Sequence, residues 1–140
     1  MIETQTNIRV RYAETDQMNV VYHGNYAQYF EVARAECIRS FGFTYKQIEE
    51  LGIMMPIVDI QIKFLRPAHY DDLLTVKAIL KELPTAHKME FHHEVFNEEG
   101  KLLTIGKVVL YLVDAVTKER TLMPQQMLDK FKHKFQASTH

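Results

Sequence analysis

The 140-residue chain reads as a single α+β domain in which one long apolar helix lies against an antiparallel sheet. Three observations predict this. Residues 25–41 carry apolar side chains at helical spacing, four later runs alternate with a period of two, and short connections marked by Gly, Pro or Asn separate them. A helix with a broad apolar face followed by half-buried strands must bury that face against the sheet.

The elements follow in order. Ile8, Val10 and Tyr12 alternate with Asn7, Arg9 and Arg11, which predicts a first strand. From Asn25, a candidate N-cap, to Phe41 the residues Tyr26, Tyr29, Phe30, Ala33, Cys37, Ile38 and Phe41 share one helical face, and Gly42 supplies the stop. Tyr45 to Leu51 is a short second helical segment ended by Gly52. After Pro56 the period changes to two: Val58, Ile60, Ile62 and Phe64 face one way, and Asp59, Gln61 and Lys63 the other, until Pro67. Leu74, Val76, Ala78 and Leu80 repeat the pattern, as do Met89, Phe91, His93 and Val95. Asn97 to Gly100 is a turn, and Leu102 to Val113 is a last strand, apolar on both faces from Val108 onward. Pro124 opens a terminal helix carrying Met127, Leu128, Phe131 and Phe135.

Composition narrows the function classes. Seventeen Lys plus Arg against eighteen Asp plus Glu leave a formal charge of −1 with no block of one sign, so nothing marks a nucleic-acid or anionic-membrane surface. Cys37, the single cysteine, cannot form an internal disulfide, and its place on the apolar helix face makes it a packing residue rather than a nucleophile. The apolar runs fall well short of the roughly 20 residues that span a bilayer, and the amino-terminal residues lack the basic and apolar regions of a signal peptide. A cytoplasmic protein is expected.

The segment from Tyr12 to Tyr26, Tyr-Ala-Glu-Thr-Asp16-Gln-Met-Asn-Val-Val-Tyr22-His23-Gly24-Asn25-Tyr26, carries the chemistry. It brings a lone carboxylate, Asp16, from a strand end onto a loop that runs into the helix, too far ahead of the helix to be its cap. The exposed N–H groups of a helix start can hold an oxyanion while a carboxylate attacks an acyl carbonyl or activates water. No metal is needed. His92 and His93, adjacent on one strand, point to opposite faces and cannot share an ion.

Thr15-Asp16, Val20-Val21-Tyr22-His23-Gly24-Asn25-Tyr26 and Phe30-Glu31-x-Ala33-Arg34 resemble the signature of the hotdog-fold acyl-CoA thioesterases of the 4-hydroxybenzoyl-CoA thioesterase type. Lys63-Phe64-Leu65-Arg66-Pro67-Ala68-x-Tyr70-Asp71-Asp72 resembles the strand and turn that follow the central helix in that family. Where the family commonly has Gly this chain has Asn19, a residue that tolerates left-handed backbone.

The resemblance implies a hotdog fold, a sheet of about five strands wrapped around the central helix, in a homodimer or homotetramer with the site near the subunit boundary. It implies hydrolysis of an acyl-CoA with Asp16 as nucleophile or general base. The backbone N–H of His23, with that of Gly24, would hold the oxyanion. The His23 side chain is balanced between a catalytic and a structural role. Tyr22, Gly24 and Asn25 would shape the acyl site, and Lys63, Arg66, Lys88 and Lys107 are the basic candidates for the coenzyme A phosphates. Coenzyme A is part of the substrate, so no separate cofactor is expected. Glu31 and Arg34, three apart, are expected to form a helix-surface ion pair. Two alternatives share the fold: a hydratase or dehydratase of acyl thioesters, which would need the His23 side chain, and a non-catalytic acyl-CoA-binding protein.

Overall fold

The computed structural model of the chain describes residues 1–84 and 86–137. A five-stranded antiparallel sheet in the order β1-β4-β5-β6-β3 curves around one helix. Its strands are β1 (Ile2–Arg9), β3 (Ile57–Phe64), β4 (Leu73–Leu80), β5 (Lys88–Phe96) and β6 (Leu102–Tyr111). The short strands β2 (Ile53–Met54) and β7 (Val113–Asp114) pair with each other beside it. The helices are α1 (Tyr26–Ser40), α2 (Tyr45–Glu50) and α3 (Gln125–Ala137).

Period-two alternation sets the inner face of the sheet. Leu74, Val76, Ala78 and Leu80 of β4 and Met89, Phe91, His93 and Val95 of β5 are all buried, and they meet Tyr26, Tyr29, Phe30, Ala33, Cys37 and Ile38 of α1. Phe30 sits at the centre, stacked on the His93 ring at 4.5 Å and 5°. Gly106 of β6 makes room for it: a Cβ there would lie 2.4 Å from the Phe30 ring. Met127 and Phe131 of α3 close the far end, with Phe131 against Phe41 at 4.1 Å between ring centroids. Thr44 and Gln47 form a reciprocal capping box that starts α2.

Four expectations are corrected. β1 ends at Arg9, and Tyr12 begins a 3₁₀ turn with its side chain 76% exposed, because the Glu14 carboxylate takes the Arg11 N–H and curls the chain. In β3 the register shifts between Ile57 and Asp59, so Val58 is the inserted residue and Ile57 stands opposite Leu110. The last strand breaks at Leu112, whose N–H bonds to His87 and whose carbonyl takes the Thr121 N–H, and β7 leaves the main sheet for β2. Asn25 holds the N-cap position of α1 but supplies no side-chain cap: it lies in helical backbone at the end of a 3₁₀ turn, His23–Asn25, and its amide donates instead to the Glu14 carbonyl.

The open edge of the sheet is apolar. Along β3, Ile60, Ile62 and Phe64 alternate toward the helix side beyond the bulge and Ile57 stands before it; Ile62 is half-buried and the other three are exposed.

Candidate active site

A hairpin between β1 and α1 builds the site. Thr15 bridges Val21, Tyr22 N–H donates to the Glu14 carbonyl at 2.9 Å, and Asp16 N–H donates to the Val20 carbonyl at 2.9 Å. The tip is a tight turn closed by Asn19 N–H to the Asp16 carbonyl at 3.0 Å, with Asn19 at φ 65. Asn19 thus takes the left-handed conformation that its substitution for glycine requires. The second arm is tied to the connection between β3 and β4 by Val21 N–H to the Ala68 carbonyl at 2.9 Å and by a bridge between Val20 and His69.

Asp16 stands at the end of the first arm, half-buried, with its Oδ1 accepting the Met18 N–H at 2.8 Å. That bond leaves the other carboxylate oxygen for chemistry. The second arm runs into the 3₁₀ turn His23–Asn25 and on into α1, and no hydrogen bond among the described residues uses the His23 or Gly24 N–H. Those groups are the orphan donors of a helix start. Carboxylate and donors therefore occupy opposite arms of one hairpin.

The surrounding side chains are aromatic. The His23 ring, exposed, packs against Tyr22 at 4.3 Å and edge-on to Phe64 at 6.4 Å. Phe64, 51% exposed at the end of β3, also meets Tyr26 at 5.4 Å. The Tyr22 ring lies where a side chain at position 24 would sit, 2.7 Å from its Cβ, which is why glycine occupies that position.

The group that locks this hairpin had no motif to reveal it. Glu14 is 8% exposed and its carboxylate accepts from Arg11 N–H at 2.8 Å, from the Tyr29 hydroxyl at 3.0 Å and from the Arg11 guanidinium at 3.1 and 3.3 Å. Its carbonyl takes both Tyr22 N–H and the Asn25 side-chain amide, at 2.9 and 2.8 Å. Burial alone would raise the Glu14 pKa, but the bonds from Arg11 and Tyr29 outweigh it and hold the carboxyl below its usual range. Burial and the Glu14 charge together push the Tyr29 hydroxyl well up.

The basic candidates do not converge. Phe64 faces the helix, so its neighbour Lys63 faces the opposite side of the sheet, where it lines a cavity of about 610 Å³ with Gln61, His92, Glu94 and Lys107. Lys107 pairs there with Glu90 at 3.6 Å. Arg66 is exposed on the connection to Ala68, nearer the hairpin, and Lys88 is exposed at the start of β5.

The expected Glu31–Arg34 surface pair is absent. Arg34 turns inward from the core face of α1, 2% exposed, and among the described residues its Nε and one terminal nitrogen have no hydrogen-bond partner. With Glu31, Tyr45, Ile57 and Leu110 it lines a second cavity of about 520 Å³. Cys37 is buried as expected. Among the described residues no group of three or more His, Cys, Asp or Glu side chains converges on a common point, and no helix is long and apolar enough to cross a membrane.

The sequence profile of the thioesterase superfamily matches residues 18–104, beginning just after Asp16. Among relatives, the YneP protein of Bacillus subtilis (strain 168) is 37% identical over 99 residues, 71% of each chain. The acyl-CoA thioester hydrolase YbgC of Escherichia coli O157:H7 is 26% identical over 125 residues, 89% of this chain and 92% of that one. The crystal structure of a DHNA-CoA thioesterase from Staphylococcus aureus superposes with a TM-score of 0.89 at 35% identity, covering 99% of this chain and 94% of that one. The sheet wrapped on α1 is the hotdog fold, and the chain belongs to the thioesterase superfamily.

Proposed function

We propose that the protein hydrolyses acyl-CoA thioesters to a carboxylic acid and coenzyme A, with Asp16 as nucleophile or general base and the His23 and Gly24 N–H groups as oxyanion donors. The observation that carries this reading is the hairpin pairing of Thr15 with Val21, which sets the Asp16 arm against the arm that ends in the unbonded N–H groups. As a nucleophile, Asp16 forms a mixed anhydride that water opens; as a base, it takes a proton from the attacking water. The departing thiol has a pKa close to that of cysteine, about 8.5, so it leaves far more readily than an alkoxide and needs no general acid. A backbone donor on the oxyanion is worth about 3 kcal/mol of barrier. The His23 ring, held by Tyr22 and Phe64, serves as a wall of the acyl site, while Tyr22, Gly24 and Asn25 shape that wall. Arg66, and Lys63 around the sheet edge, are the residues offered to the coenzyme A phosphates. The S. aureus and E. coli relatives, named for thioester hydrolysis, support the reaction class.

The exposed apolar side chains of β3 support a homodimer, or a tetramer of dimers, that pairs this edge and brings Phe64 and its neighbouring site to the subunit boundary. A cytoplasmic location fits a coenzyme A substrate. Free-thiol release over a panel of aliphatic and aromatic acyl-CoAs tests the function. Turnover of at least one is expected, and a folded protein that releases no thiol from any of them overturns the proposal. Light scattering showing a monomer at micromolar concentration would overturn the assembly.

A further inference from the structure

We propose that Glu14 is a positioning residue for this reaction, holding the Asp16 arm against the start of α1 and so setting the carboxylate and the oxyanion donors relative to each other. The proposal rests on the hydrolytic reading above. Glu14 is separated from Asp16 by one extended residue, Thr15 (φ −97, ψ 156), so a shift of Glu14 is passed along the chain to Asp16. Its carbonyl grips the other arm on both sides of the donors, at Tyr22 N–H and at the Asn25 amide. Its carboxylate reaches past the helix start to Tyr29, in the first turn of α1.

A turn cap alone would need only the Arg11 N–H. The carboxylate of Glu14 is instead taken out of water and given the Tyr29 hydroxyl and the Arg11 guanidinium as further donors. Burying an ionised carboxylate is costly unless every lone pair is used, and here the bonds that use them run to the two elements whose relative placement decides the chemistry. Among the described residues Asp16 makes no such contact with α1: its side chain accepts the Met18 N–H, within its own turn. Glu14 supplies the connection that Asp16 lacks.

The test is a kinetic cycle on the full chain with an acyl-CoA that the wild type turns over. Glu14→Ala should lower kcat about 10- to 100-fold, the scale of a misplacement near 1 Å, with KM changed by no more than about threefold. Glu14→Gln, which keeps a carbonyl acceptor for Arg11 or Tyr29, should recover most of the loss. In an Asp16→Asn background Glu14→Ala should cost little more, because both act through one group. A merely structural glutamate would lower the folded fraction while leaving kcat per folded molecule unchanged, and its effect would add to that of Asp16→Asn; either result overturns the proposal. Wild-type turnover by Asp16→Asn would remove the role given to Asp16 and the proposal with it, while hydrolysis of the acyl-CoA by the wild type would still stand. Should Glu14→Ala not fold, Tyr29→Phe removes one hydroxyl and leaves the ring in the core: a lowered kcat at unchanged Tm supports the proposal, and wild-type kcat overturns it.

Discussion

Gly106→Ala places a methyl group where the Phe30 ring already lies. The new Cβ would stand 2.4 and 2.6 Å from two Phe30 ring carbons and 3.4 Å from the Gln61 carbonyl of β3. Carbon atoms pack at about 3.5–4.0 Å, so the ring must retreat by roughly an ångström. It has nowhere to go, since Phe30 is fully buried and stacked on His93 at 4.5 Å, and His93 is tied through Nδ1 to the Lys77 carbonyl at 2.9 Å. Overpacking of this kind costs about 1–3 kcal/mol, and for a domain of this size each kcal/mol lowers Tm by about 4 °C. Gly106→Ala should therefore melt about 4–12 °C below wild type, read by circular dichroism at fixed protein concentration. Phe30→Leu should also be destabilising through the cavity it leaves, yet the double variant should lose clearly less than the sum, because the smaller side chain admits the methyl. An unchanged Tm for Gly106→Ala, or additive losses in the double variant, would refute the reasoning about how α1 is seated on the sheet.

Asp16→Asn keeps the acceptor for Met18 N–H but removes charge and basicity, so acyl-CoA turnover should fall at least about 10²-fold with Tm unchanged in thermal denaturation; His23→Ala should cost less because the backbone donor survives. His93 should make stability acid-sensitive. Burial pushes its pKa down to about 3 against the usual 6.5, partly offset by its bond to Lys77. The unfolded chain therefore takes up a proton that the folded chain refuses, and the His93 contribution is present above about pH 6.5 and lost as pH falls toward 3. His93→Asn, which does not titrate, should flatten the slope of urea midpoint against pH between 6.5 and 5; an unaltered slope would disprove it. Glu14, held below its usual pKa, acts in the same direction at lower pH.

Much of this fold was legible because burial imposes a period. β5 buries every second residue and β4 does so apart from Ile79, buried out of phase, so Leu74 to Leu80 and Met89 to Val95 could be assigned from alternation, and the helical spacing of Tyr26, Phe30, Ala33 and Cys37 predicted the face that meets them. Features that depend on a single residue breaking the period were hidden. The bulge at Val58 leaves the composition of β3 unchanged and merely exchanges which of two apolar neighbours faces Leu110. Arg34 looked like a surface charge because Glu31 stands three residues before it, but its position on the core face proved stronger than its side-chain type.

The same contrast explains which parts of the site could be read. Asp16, His23 and Gly24 stand in a dense motif, and Asn19 adopts the left-handed backbone that its place in the motif demands. Glu14 belongs to the same run of residues but has no local sign of its role, because its partners are set by the fold: Tyr29 reaches it only once α1 has turned back over the loop, and Asn25 only once the hairpin has closed. A helix start offers N–H groups to any anion; on the proposed mechanism, selectivity for a transition state would come from the rigidity with which the Asp16 arm is set against it. Under the proposal above that rigidity comes from one buried glutamate, bonded to the Arg11 N–H, to Tyr29 of α1 and through its carbonyl to Tyr22, two residues away from the group proposed to perform the reaction.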